Sequence, residues 1–398
     1  MTRPRVTDRA RRNRLSRRHR LAADTRATSV VEAAESMVGL HSTTPSTVYL
    51  AAWARIDGFT PASMDDALYV DRSLVKQLAM RRTLFVFPRD LLREAVGAVG
   101  PRVTASERTN MLRDLRRSEW CTDPGGWIDA ARTAVAAELV DGVTLTSSQI
   151  RERLPEFNRT VIVSPGKSYG GASPMLPRTI NMMSAAGDIV RGPNSAGWHM
   201  SRPSWSSMRD WLGEQLDPPD PATAYAAMVR RWLASFGPGT ETDLVWWLGS
   251  TKAAVRQALA QLDIVEVELD DGSVGYVLAD DVVSPDDDDL EPQAVLLPEL
   301  DSTTMGHKIR DFYLGPHGEH IFDRNGNGGQ TVWWDGRIVG GWYRDDDTSI
   351  RVHLFEKLPA GARRAVDDRA NELTTWLGGA QIRPGYPAPF VRGLRGQR

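Results

Sequence analysis

An imidazole and a run of hydroxyls stand together at Gly39-Leu40-His41-Ser42-Thr43-Thr44-Pro45-Ser46-Thr47, the stretch of the chain best equipped for chemistry. Imidazole and hydroxyl both donate and accept hydrogen bonds, so His41 and Thr43 are the candidates for polar chemistry if the chain lets them act together. Residues two apart do not share a face of a regular helix, so the pair can cooperate only in a turn or at a helix end. The flanks supply one. Val30, Ala33, Ala34, Met37 and Val38 precede the stretch at helical spacing, and Leu50, Trp53 and Ala54 follow it. Gly39 weakens the first helix and Pro45 pushes Thr44 out of the helical region. Two helices with a polar gap between them are expected. The same residues also suit a plainer use, with Ser42, Thr43 or Ser46 capping the second helix and His41 hydrogen-bonded at the edge of the core.

A chain of 398 residues exceeds one ordinary core and points to roughly two to four domains. Its 41% hydrophobic and 25% charged content is that of a globular protein. The best apolar run, residues 48 to 56, is too short for a membrane span and contains Arg55. The Arg-rich start with no apolar stretch behind it argues against a secretory signal, so a cytoplasmic protein without membrane contact is expected. Cys121 is the only cysteine, which excludes an intrachain disulfide and a cysteine-based zinc site. His19, His41, His199, His307, His317, His320 and His353 form no HExxH, and His317 and His320 sit among Gly and Pro as in a loop. No metal and no cofactor is expected.

The net charge of −2 hides a split. Arg3, Arg5, Arg9, Arg11, Arg12, Arg14, Arg17, Arg18 and Arg20 face a single acid, Asp8, while Asp286 to Asp289 and Asp345 to Asp347 lie at the far end. Clustered arginine invites a nucleic-acid reading, because neutralising phosphates is the sequence-independent part of such binding. A frayed, solvated arm is the alternative.

The elements that must position the gap recur. Helices through residues 30–38, 49–55 and from Ser63, then a helix capped by Asp71 over residues 73–80, lead to the strand Thr83-Leu84-Phe85-Val86-Phe87. A second copy follows: helices from Gly126, from Thr146 or Ser147 and from Pro177, a Gly/Ser/Pro-rich insert at 164–174, and a wing of residues 188–191 and 197–200. The third runs from the helix 225–236 through helices capped by Thr240 and Thr251 to the alternating strand 264–269, the turn Asp270-Asp271-Gly272 and the return 274–278. Helices followed by a hairpin, three times over, describe tandem winged helices. Lys76, Arg81, Arg82, Arg178, Asn181, Lys252 and Arg256 then become candidate groove contacts on double-stranded DNA. The acidic third wing (Glu266, Glu268, Asp270, Asp271) fits a spacer or dimer surface better than phosphate. Residues 285–292 read as a linker. Beyond it, strands at 294–298, 320–322, 331–334, 337–343 and 352–355 with turns at Asn325-Gly326 and Asp335-Gly336, then a helix at 362–377, make a small antiparallel β domain or barrel. The fold class expected is α+β, divided as 1–110, 111–215, 216–284 and 293–398.

These residues resemble the bacterial winged-helix DNA glycosylases of the AlkZ/YcaQ type over nearly the whole chain. The resemblance is sharpest at Gly39-Leu40-His41-Ser42-Thr43 with Trp53-Ala54-Arg55, at Arg81-Arg82-Thr83-Leu84 and at Leu296-Leu297-Pro298-Glu299-Leu300-Asp301. Further matches are Arg324-Asn325-Gly326 and residues 335–342. It implies an enzyme that excises alkylated or bulky purines from duplex DNA, with Asp301 near the lesion; a monomer is expected. The family's catalytic Gln-x-Gln or Gln-x-Asp motif falls on His41-x-Thr43, so the resemblance implies that this pair positions the attacking water: a neutral imidazole can accept a hydrogen bond from it and a hydroxyl can orient it, although neither supplies negative charge for an oxocarbenium-like sugar. A non-enzymatic DNA-binding protein and a winged-helix interaction scaffold are the rival readings. Trp333, Trp334 and Trp342 could stack on an extruded base or, as alternating aromatics on a sheet, fill the core.

Overall fold

The computed structural model of the chain describes residues 3–164, 166 and 170–396, so Pro165 and Lys167–Tyr169 of the insert lie outside the described residues. It is a mixed α+β structure with several small, mostly antiparallel sheets.

The chain opens with β1 (Arg5–Val6) and α1 (Asp8–Arg18), whose cap Thr7 accepts a hydrogen bond from the Ala10 N–H. This segment is neither a frayed arm nor a free basic surface. Arg14, fully buried, pairs with Asp287 and with Asp281 at 3.4 Å. Arg18 bridges Asp281 (2.6 Å) and Asp286 (2.8 Å), and Arg9 bridges Asp289 (2.9 Å) and Asp335 (3.0 Å). The stretch expected as a linker is therefore the other half of this contact. A buried guanidinium needs a carboxylate, so the basic and acidic runs explain each other.

Helices α2 (Val30–Glu35), α3 (Pro45–Trp53) and α4 (Pro61–Asp65, continued by a π turn over Asp66–Val70) enclose a three-stranded sheet. Its strands are β2 (Leu40–His41), β3 (Leu74–Leu78) and β4 (Leu84–Pro88), in the order β2-β4-β3. Two expectations change here. The polar gap contains a strand, Leu40 pairing with Val86 and His41 with Phe85. Residues 73–80, expected as a helix, form β3 instead. A short apolar run fits either state by pattern alone, and here Leu74 to Gln77 are all buried because the strand is covered on both faces.

Then comes α5 (Leu92–Leu115), unforeseen and running straight through the expected boundary at residue 110. It packs against α8 and α10, introduced below. Its Gly97 and Gly100 allow that approach: a Cβ there would meet Pro219 O and Ala185 O at 2.7 Å.

The second unit comprises α6 (Pro124–Glu138), β5 (Leu145–Thr146), α7 (Ser147–Arg153), the inserted hairpin β6 (Thr160–Val163) and β7 (Gly171–Pro174), α8 (Met175–Ala186), β8 (Ile189–Asn194), β9 (Pro203–Ser207) and α9 (Met208–Leu212). Its sheet order is β5-β9-β8. The return strand is 203–207 rather than 197–200, because Trp198 leaves the wing to pack on Tyr49 (5.0 Å between ring centroids) and Trp376 (5.7 Å).

In the third unit, α10 (Pro221–Phe236), α11 (Glu241–Leu248) and α12 (Lys252–Leu259) precede β10 (Ile264–Leu269) and β11 (Val274–Leu278). Thr240 and Asp243 form a reciprocal capping box, and Thr251 caps α12. Gly239 bridges Tyr276, so the order 239-β11-β10 repeats that of the other two sheets, and β1 adds to β10 in parallel. Arg3 and Arg5 thereby reach Glu266 (2.7 Å) and Asp270 (2.8 Å) of the acidic wing.

Last, β12 (Ala294–Leu297), α13 (Asp311–Leu314), α14 (Gly318–Ile321), β13 (Thr331–Trp334), β14 (Arg337–Arg344), β15 (Ile350–Leu354), α15 (Ala360–Leu377) and α16 (Pro389–Gly396) complete the chain. The four strands make an open antiparallel sheet in sequence order, with α15 packed on it. It is a sheet, not a barrel. Residues 320–322, expected as a strand, fall at the end of α14, and only Phe322 bridges Gly328. Trp333 and Trp342 are buried, their indole N–H groups donating to Thr331 Oγ1 and Leu297 O at 2.8 Å. Among the described residues no helix is long and apolar enough to cross a membrane.

Candidate active site

Where the β2–α3 gap meets the β3–β4 turn, α5, α8 and β8, a cleft of about 220 Å³ opens, lined by Thr43, Leu78, Arg82, Leu84, Glu107, Asn181 and Arg191. Sheet pairing fixes its first wall. The Ser42 N–H donates to Leu84 O (2.8 Å) and the Leu84 N–H donates to Thr43 Oγ1 (3.1 Å), which carries the extended backbone past β2 and pins the Thr43 hydroxyl. One of its lone pairs is thus used, leaving the other lone pair and the hydroxyl proton for the cleft. The capping alternative is not realised. Thr44 is the N-cap of α3 without a side-chain cap bond, and Pro45 at the first position needs none.

His41 stands behind this wall. It is 2% exposed, packs on Phe85 at 4.8 Å between centroids and accepts the Thr43 N–H at Nδ1 (3.4 Å), which places its proton on Nε2. Burial, aided by the Arg81 cation, pushes its pKa down to about 3, so the ring is neutral. It does not line the cleft, and its reach into it runs through the Thr43 backbone.

The second wall is the β3–β4 turn, where Arg81 (φ +53°) and Arg82 (φ +63°) both adopt the left-handed conformation. Two such residues in succession store strain of order 1–3 kcal/mol each. The effect is to part the two side chains. Arg81 turns over the Trp246 ring at 4.0 Å, shared with Arg310 at 4.9 Å, while Arg82 turns into the cleft against Glu107. Burial pushes the Arg81 pKa down to about 10. Across the cleft, Arg191 lies over Trp205 at 4.8 Å, with its Nε buried and without a hydrogen-bond partner. Burial likewise holds its pKa at about 10.

The cleft therefore unites Thr43, Arg82 and Asn181 from the sequence candidates and adds Glu107 and Arg191, which the sequence reading did not single out. The other candidates lie elsewhere. Lys76 is buried in β3, its ammonium on the Tyr69 hydroxyl and its pKa pushed down to about 8 by burial, so it is not a groove-facing helix residue. Arg178 is mostly buried against Asp114 (2.9 Å). Lys252 and Arg256 are exposed on α12, and both rest on Glu241, at 3.7 and 2.6 Å.

Asp301, expected near the lesion, is engaged by the fold. It is fully buried, and its two oxygens receive the Arg55 guanidinium at 2.8 and 2.9 Å. Arg55 also donates to Thr303 Oγ1 (2.8 Å) and His19 O (3.0 Å). The stretches around Arg55 and Asp301 thus meet as a clasp between the first unit and the β domain. Among the described residues no group of three His, Cys, Asp or Glu stands together as a metal site would require.

Two comparisons bear on this arrangement. The family model described as DNA glycosylase AlkZ-like matches residues 34–376, which take in the gap, the cleft and the clasp. The Streptomyces sahachiroi DNA glycosylase AlkZ shares the fold at a TM-score of 0.72 and 20% identity, over 93% of this chain and 97% of that one. No curated protein matches. The match to the family model over most of its length means that the chain belongs to the AlkZ-like DNA glycosylase family.

Proposed function

We propose that this chain hydrolyses the N-glycosidic bond of alkylated or bulky purine adducts in duplex DNA, and that the Thr43 cleft is where it does so. The observation that carries this is the convergence of a fixed hydroxyl, two arginines (Arg82, paired with Glu107, and Arg191, whose buried Nε has no hydrogen-bond partner) and an amide on one open cleft. An alkylated purine is already cationic and leaves readily, so the protein must bring a water to C1′ and hold the backbone. Thr43 orients the water and His41 holds the Thr43 backbone. Arg82, Arg191 and Asn181 take the flanking phosphates. At about 220 Å³ the cleft is smaller than the roughly 300–1,000 Å³ of pockets that enclose a drug-sized ligand. It suits the sugar-phosphate end of a nucleotide, with a bulky base projecting outward. The sheet order shared by the three units supports reading each as a winged helix, and the site is complete within one chain, in keeping with a monomer on DNA.

The test is release of the base from a duplex carrying a single N7-alkylguanine under single-turnover conditions. Thr43→Ala is expected to slow release roughly 10- to 100-fold with DNA affinity retained, and His41→Ala to slow it less. A wild-type rate equal to spontaneous depurination, on small and bulky adducts alike, would overturn the reading in favour of a DNA-binding protein without hydrolysis.

A further inference from the structure

The His41-x-Thr43 pair lacks a negative charge, yet the cleft does not. The geometry points to Glu107, from the middle of α5, as the carboxylate that receives the proton of the attacking water and faces the developing oxocarbenium ion. This rests on the glycosylase reading above and names the group that reading lacks.

Three observations carry it. Glu107 lines the same cleft as Thr43. It is only 8% exposed and occupies a core-facing stripe of α5, with Val99, Val103, Met111 and Leu115 at four-residue spacing, each 1% exposed or less. Its carboxylate has a single cation beside it. The Arg82 guanidinium lies close by, but Glu107 Oε1 has no aligned hydrogen bond. Arg82 is itself 55% exposed at its side chain, and an exposed partner stabilises little. A carboxylate held in an apolar stripe with one half-exposed cation as its partner is costly as architecture. It is what the chemistry asks for.

The step balances without a co-reactant. The water oxygen bonds to C1′, the C1′–N bond breaks, and its electron pair leaves with the base, neutralising the alkylated cation. The water proton passes to the Glu107 carboxylate, and the sugar is left with a C1′ hydroxyl.

Glu107→Gln keeps the shape and removes the charge. Single-turnover excision from the N7-alkylguanine duplex at saturating protein is expected to fall roughly 100-fold or more, with dissociation constant and melting temperature close to wild type. If wild type excises and E107Q does so at the same saturated rate, the inference is overturned while the glycosylase reading stands. A defect that saturating protein cancels would also overturn it, because Glu107 would then serve only to hold Arg82 for binding. A wild type without excision overturns the glycosylase reading itself and this inference with it. Should E107Q fail to fold, Glu107→Asp retains the charge one methylene short, and an unchanged saturated rate there would count against the assignment.

Discussion

Two groups of arginines in this molecule share a residue type and little else. Those of residues 3–18 are dense in sequence and spent in the fold, since Arg3, Arg5, Arg9, Arg14 and Arg18 each rest on an aspartate or glutamate from residues 266–335. Those at the cleft are scattered in sequence, at 82 and 191, and line open space. Arg82 has one carboxylate beside it, and the buried Nε of Arg191 has no hydrogen-bond partner. Charge density along a chain measures how much cation the ribosome has delivered. What a phosphate feels is the charge left over after folding.

The largest effect should come from cutting a pair that is already spent. Arg14 is fully buried, so Asp287→Ala leaves its guanidinium short of its main partner. Because Asp287 is itself about a third exposed, the loss should sit near the lower end of the usual range, roughly 3 kcal/mol by denaturant titration. DNA affinity of the protein that remains folded should not change. A fall in affinity at unchanged stability would erase the distinction between the two groups.

The spent pairing could not be read from sequence because it joins segments more than 260 residues apart, and only their opposite compositions hinted at it. Local features read well. The capping residues Thr146, Thr240 and Thr251, the Asp335-Gly336 turn and the alternating strand 264–269 all stand where their chemistry places them. The failures have physical causes. Residues 73–80 carry no periodicity that separates a buried strand from a helix. Helix α5 was hidden by Gly97, Gly100 and Pro101, which look like breakers and serve close packing. With it went Glu107, although a carboxylate at the centre of the stripe formed by Val99, Val103, Met111 and Leu115 is a signal that sequence does contain. At the site, Thr43 was legible as a hydroxyl in a helix break. That His41 would turn away from the cleft was not, because it follows from the pairing of His41 with Phe85 across a strand of two residues.

An intermediate effect belongs to the cleft. Arg191→Ala should weaken binding to any duplex about tenfold and lower the slope of log affinity against log salt by about one, as loss of a single phosphate contact does. Titrations at several salt concentrations would show it. A sequence-dependent loss, or an unchanged slope, would mean that the unpartnered Nε serves the fold and not DNA.

The smallest effect should come from the arginine that looks most like a DNA contact. Arg3 is basic, near the terminus and about half exposed, and its partner Glu266 is exposed to a similar degree. Such pairs contribute little to stability, so Arg3→Ala should melt as wild type does. Its DNA affinity should also be unaltered. Glu266, Glu268, Asp270 and Asp271 surround the place where β1 joins β10, and a phosphate approaching Arg3 would meet their field within a Debye length of about 10 Å. Glu266→Lys removes that shield. If Arg3→Ala already lowers affinity with a salt slope reduced by one, the arm is a contact despite its pairing, and residual charge is the wrong guide. If affinity responds only in the Glu266→Lys background, the acidic wing is what keeps this arginine off DNA, and the division between spent and available charge holds at the one position where both descriptions could apply.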